Sequence, residues 1–119
     1  MNRKITFFLF AAAPLILALS GCSRPFLKDQ LNFGIQAAQK ELWEEAIFRW
    51  RKVIQVNPQS AEAHNNLAVA LEKKALWEEA KKEYEIAINL SPENKYIESN
   101  HKNFTKRLED LKKDKNEKQ

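Results

Sequence analysis

The sequence predicts an all-α fold, a short helical solenoid, and two observations carry that prediction. The first is a period. Sliding residues 27–60 onto 61–94, a step of 34, matches nine positions, among them Leu42/Leu76, Trp43/Trp77, Glu44/Glu78, Ala46/Ala80 and Pro58/Pro92. A repeat of that length describes a unit whose apolar face only a neighbouring unit covers. The second is the apolar spacing inside each unit, which is helical throughout in a chain with only two glycines. At 119 residues there is room for one small domain. A composition of 44% hydrophobic and 10% aromatic residues is that of a folded chain, not a disordered one.

Taken in order, the chain begins with an address. Met1-Asn2-Arg3-Lys4 is basic, and Ile5 to Leu19 is an apolar run broken only by Thr6 and Pro14. As a helix that run would be about 22 Å long, short of the roughly 30 Å hydrocarbon core, so it fits an export signal better than a span. Leu19-Ser20-Gly21-Cys22 follows, and it resembles the lipobox of bacterial lipoproteins. The resemblance implies that residues 1–21 are removed as a signal peptide and that Cys22 becomes the first residue, carrying diacylglycerol on sulfur and acyl lipid. It places the folded part outside the cytoplasm, in the bacterial cell envelope. Ser23, where aspartate would favour retention, favours the outer membrane over the inner under enterobacteria-like sorting and leaves the leaflet open. Cys22 is the sole cysteine, so no internal disulfide competes for it. Residues 22–26 read as a short lipidated tether, which keeps the domain close to the bilayer.

Leu27, Leu31, Phe33-Gly34, Ala37 and Ala38 predict a first helix over 28–40. Ala46, Ile47, Trp50, Val53, Ile54 and Val56 predict a second over 44–57, stopped by Asn57-Pro58 because the residue before proline avoids the helical region. Ser60 caps a third over 61–74, with Ala63, Leu67, Ala68, Val69 and Leu71 inward. The fourth, 78–90, rests on Ala80, Tyr84, Ala87, Ile88 and Leu90 and ends at Ser91-Pro92. Glu44-Glu45 and Glu78-Glu79 stand in first turns, where carboxylates meet the positive end of the helix dipole. A last helix starts near Asn94 and carries Ile97, Phe104, Leu108 and Leu111 on one narrow face, as a capping helix over 95–111 would. Residues 112–119 contain no apolar side chain and read as a charged, flexible tail.

Units of this length, with Phe33-Gly34, Ala46, Trp50 and Pro58 in the first and Leu67-Ala68, Ala80, Tyr84, Ala87 and Pro92 in the second, resemble tetratricopeptide (TPR) repeats. The resemblance divides the chain into TPR 1 (27–60) and TPR 2 (61–94). It implies a concave groove lined by the first helices of successive units, which takes up a protein or peptide partner. By register the lining is Lys28, Leu31, Ile35, Ala38 and Gln39, then Glu62, Asn65, Val69, Glu72 and Lys73, then Tyr96, Ser99, Asn103, Lys106 and Arg107. The lysine and asparagine that some members use to clamp a terminal carboxylate are replaced by Leu31 and Ile35. Gln30 and His64 stand where a large aromatic is common.

Nothing in the sequence has the pattern of a catalytic centre. The two histidines, His64 and His101, have no H-E-x-x-H context or cysteine pair and read as surface or half-buried helix residues. With glycine only at 21 and 34 there is no phosphate loop. No metal and no cofactor beyond the lipid on Cys22 is expected, and the chain is not read as an enzyme. Without Arg3 and Lys4, 18 basic residues face 16 acidic ones, too small an excess to make nucleic acid the main partner. The three tryptophans read as core packing. The expected function is an anchored interaction adaptor or scaffold in the cell envelope. Two other readings stand beside it: a structural or self-associating subunit of a larger envelope assembly, and a non-catalytic regulator of a cell-wall or secretion enzyme.

Overall fold

A computed structural model describes residues 23–117, so the export signal and Cys22 lie outside the described residues. Five helices follow one another: α1 (Ser23–Gln39), α2 (Trp43–Val56), α3 (Ala61–Lys73), α4 (Trp77–Leu90) and α5 (Lys95–Asn116). None of them is long and apolar enough to cross a membrane. The α1–α2 and α3–α4 hairpins are the two repeats.

The ends of the helices follow from local chemistry. Asn57 and Ser91, each before a proline, are extended, with φ of −133° and −144°. The Ser60 hydroxyl accepts the Ala63 amide at 3.3 Å. Asn94, in the same register of the next unit, accepts those of Tyr96 and Ile97 at 3.0 and 3.2 Å. Inside each hairpin the turn is a Schellman motif. Leu42 N–H bonds the Ala37 carbonyl and Leu76 N–H the Leu71 carbonyl, both at 2.9 Å. The residues before these leucines, Glu41 and Ala75, both adopt φ of 57°, a left-handed conformation usually given to glycine.

Two boundaries differ from the sequence expectation. α1 begins at Ser23, so the residues read as a tether form its first turn. Pro25 sits there without cost, because first-turn amides have no partner inside the helix. α5 continues to Asn116, through most of the segment read as a flexible tail. Lys113 and Lys115 stand in its last turn, where cations meet the negative end of the helix dipole, so the helix continues without apolar burial.

Packing centres on α3, which meets α2 on one side and α4 and α5 on the other. Its Ala63, Leu67, Ala68, Ala70 and Leu71 are all buried. α5 closes the array: its Phe104 ring lies 4.9 Å from that of Tyr84 and 6.5 Å from that of Trp77. His64, expected at or near the surface, is instead only 5% exposed. Its Nε2 lies 2.9 Å from the Pro58 carbonyl and its Nδ1 2.5 Å from the Glu83 carboxylate. These partners tie the turn between repeats to α4 and explain how a polar ring occupies an aromatic position.

Within repeat 1, Gly34 lets α1 approach α2 closely. A Cβ at Gly34 would fall 2.7 Å from Trp50 Cε2 and 2.8 Å from Cδ1, and against Nε1 as well. The same ring donates from Nε1 to the Leu31 carbonyl at 3.3 Å. One period on, the register pairs Ala68 with the smaller Tyr84, both fully buried. Gly34→Ala gains about 1 kcal/mol of helix propensity but overpacks a rigid ring at about 1–3 kcal/mol. It is expected to lower the thermal midpoint. Combined with Trp50→Tyr, which recreates the pairing of repeat 2, the same change is expected to stabilise, so a double-mutant cycle should show favourable coupling. Ala75→Gly relieves left-handed strain and is expected to add about 0.5–1 kcal/mol in denaturant unfolding.

Candidate partner-binding groove

A cavity of about 550 Å³ opens on the concave side of the array. Ile35, Ala38 and Gln39 of α1 line it, with Trp43 and Trp50 of α2, Glu62, Asn66 and Val69 of α3, and Asn94, Tyr96 and Ile97 where α5 begins. Its floor is apolar because Ile35, Ala38, Trp43 and Val69 also pack on the core. Its rim is polar, and Tyr96, 64% exposed, forms one wall. Lys73 extends over the Trp43 ring, 6.0 Å from its centre.

Of the residues expected to line a groove, Ile35, Gln39 and Val69 reach this cavity, as do Ala38, Glu62 and Tyr96. Lys28 and Lys73 are exposed beside it, and Leu31 is half-buried against the core. Asn65 and Glu72 are engaged inside the protein. Asn65 is 1% exposed, accepting from Asn100 Nδ2 at 3.0 Å and donating to Asn66 at 3.3 Å. Glu72 accepts from the Tyr84 hydroxyl at 2.9 Å and from Arg107. Ser99, Asn103 and Arg107 are exposed, but Asn103, Lys106, Arg107 and Asp110 surround a separate depression on α5. Sequence register missed Trp43, Trp50, Asn66, Asn94 and Ile97. Trp43 is half-buried at the groove, and Trp50, only 3% exposed, borders it from within the core.

The network under the groove is electrostatically set. Burial pushes the Tyr84 phenol far above its ordinary value, and the neighbouring Glu72 carboxylate adds to that shift. Tyr84 therefore stays a donor to Glu72 at neutral pH. On the opposite surface a second cleft of about 490 Å³ is lined by Ile47, Phe48, Leu71 and Leu76 under a charged rim. Ion pairs Lys74–Glu44 and Arg51–Glu79, the latter 3.0 Å, cross between the repeats there. Hydrogen bonding from Lys74 holds the exposed Glu44 below the usual carboxylate range. Among the described residues no cluster of three or more histidine, cysteine or acidic side chains is arranged to hold a metal ion.

Residues 38–74 match the model of the TPR repeat, a stretch running from the end of α1 through α2 and α3. The C-terminal TPR-containing domain of a Plasmodium falciparum protein described as an FK506-binding protein superposes with a TM-score of 0.70 at 23% identity. The fold is a short TPR solenoid. The superposition covers 76% of this chain and 60% of that one, so the chain spans less than two thirds of that TPR domain. No curated protein matches the chain. The φ of 57° recurs at Glu41 and Ala75, one period apart.

Tyr84→Phe removes one of two donors to a largely buried carboxylate and is expected to cost about 1–2 kcal/mol in denaturant unfolding. The folded-state pKa of Tyr84 is raised, so its contribution is complete below the unfolded value of 10.0 and declines as pH rises above it. Wild-type stability should therefore fall more steeply than that of Tyr84→Phe between about pH 9 and pH 11.

Proposed function

We propose that this chain is a membrane-anchored TPR lipoprotein that serves as an adaptor in the bacterial cell envelope, capturing a segment of a partner protein in the concave groove. The observation that carries the reading is the groove itself: an apolar floor of Ile35, Ala38 and Val69 under a rim of Gln39, Glu62, Asn66 and Asn94. Apolar side chains of a partner segment gain by leaving water on the floor, and the rim amides bond its backbone. Burial of this small apolar floor is largely offset by the cost of association, so the site binds its partner weakly.

An acyl anchor makes so weak a site useful. Lipid on Cys22, argued from Leu19-Ser20-Gly21-Cys22 after an apolar run, confines the groove to one surface, where a second membrane-bound protein meets it at high effective concentration. Adaptor action needs no reactive centre, which agrees with the absence of catalytic patterning in the sequence. The Ser23 that follows Cys22 favours the outer membrane as its site.

Two experiments test this. Cys22→Ala is expected to leave an unprocessed, unacylated chain; wild-type chain still carrying residues 1–21 in intact mass spectrometry would remove the anchor. Ile35→Glu combined with Val69→Glu puts charge on the groove floor. Partner capture by the anchored protein should then fall at least tenfold while its helical circular dichroism is retained, and undiminished capture would rule the groove out.

A further inference from the structure

Opposite the groove, the α1–α2 seam carries aromatic rings that the fold does not use. Phe26 is 42% exposed, Phe33 and Phe48 are each 49% exposed, and Val56 is 50% exposed. Phe26 and Phe33 are seven residues apart and share one side of α1, while Phe48 and Lys52 are one turn apart on α2. Two cations stand over these rings. Arg49 lies 5.5 Å from the centre of Phe33 and 5.7 Å from that of Phe48, and Lys52 lies 4.5 Å from that of Phe48. Arg49 also bonds Gln30 at 3.1 Å and Glu45 at 2.6 Å, which fixes the strip across both helices.

We propose that this strip of Phe26, Phe33, Phe48, Arg49 and Lys52 is seated in the headgroup layer of the bilayer that holds the anchor, so that the groove opens away from the membrane. The proposal rests on the lipid-anchor reading. What decides the occupant is where the chain outside the structure ends: Cys22 is the residue immediately before α1, with no flexible stalk between lipid and helix. A lipid at that position keeps all of α1 within about 25 Å of the bilayer surface. Phenylalanine rings on the apolar side of an interfacial helix enter the headgroup–acyl boundary, and arginine and lysine lay their stems along apolar surface while their charges stay hydrated. Arg49 is paired with Glu45 at 2.6 Å, which leaves Lys52 as the strip's net charge, so the rings hold it down and anionic lipid is not required. At 3.6 residues per turn, Ile35 is about 200° around α1 from Phe33, which turns the groove to the far side.

The test uses the mature acylated protein in lipid nanodiscs. Its only native thiol is the acylated Cys22, so a cysteine introduced elsewhere takes a fluorophore uniquely. Gln55→Cys reports beside the strip, one heptad beyond Phe48, and Gln39→Cys reports at the groove. Lipids with a nitroxide near the headgroup should quench the label at 55 several-fold more than the label at 39, in phosphatidylcholine and phosphatidylglycerol alike. Adding Phe33→Ser and Phe48→Ser, both at exposed positions, should remove the difference. Equal quenching at the two sites on a chain whose Cys22 mass shows acylation would overturn the orientation and leave the anchor standing. A Cys22 without lipid would overturn both.

Discussion

A small residue on the first helix of each repeat faces an aromatic ring on the second, and that complementarity sets the distance between the two helices. In repeat 1 the pair is Gly34 with Trp50, close enough that a Cβ would collide with the ring. In repeat 2 a methyl group is accommodated, because Tyr84 stands where Trp50 does. Helix separation fixes how the pairs stack, and the stacking leaves a trough along one face. The groove is thus a by-product of packing, and the edges of Trp43 and Trp50 belong to both.

The polar groups within the core act in the same direction. Asn65 joins α3 to Asn100 of α5, Glu72 joins α3 to Tyr84 and Arg107, and His64 joins α3 to Glu83. Each bond begins on the central helix and ends on a later element, so α4 and α5 are held in one register. No buried side-chain nitrogen or oxygen among the described residues lacks a partner. This satisfaction matters with so few repeats, since a two-repeat array has little apolar area to spare. By contrast the exposed inter-repeat ion pairs contribute little, being screened by solvent.

The helices and their order were legible because each carries a strong period and a clear stop: Asn57-Pro58, Ser60, Ser91-Pro92. The inward positions Trp50, Leu67, Leu71, Tyr84 and Phe104 were legible from the same period. The end of α5 was not, because its last turn carries no apolar residue and rests on Lys113 and Lys115 at the negative end of the dipole, and the helix runs past Leu111 to Asn116. Residues 22–26 read as a tether, yet from Ser23 on they form the first turn of α1, where Pro25 is tolerated. Within the groove, Ile35, Gln39 and Val69 of the register line the cavity, whereas Asn65 and Glu72 are held by other side chains. A family register says which way a residue points, and only coordinates say whether another side chain already holds it. His64 erred for the same reason, its burial depending on acceptors 6 and 19 residues away in sequence.

The proposed capture of a partner in the trough, with the opposite face on a bilayer, is tested most directly by crosslinking in intact cells. A photoreactive amino acid is placed at Gln39, on the groove rim, or at Lys82, on the exposed outer side of α4. The account predicts a discrete protein adduct from position 39 that is absent from position 82. Adducts of equal yield from both positions, or none from position 39 in cells where the protein is acylated and folded, would contradict it.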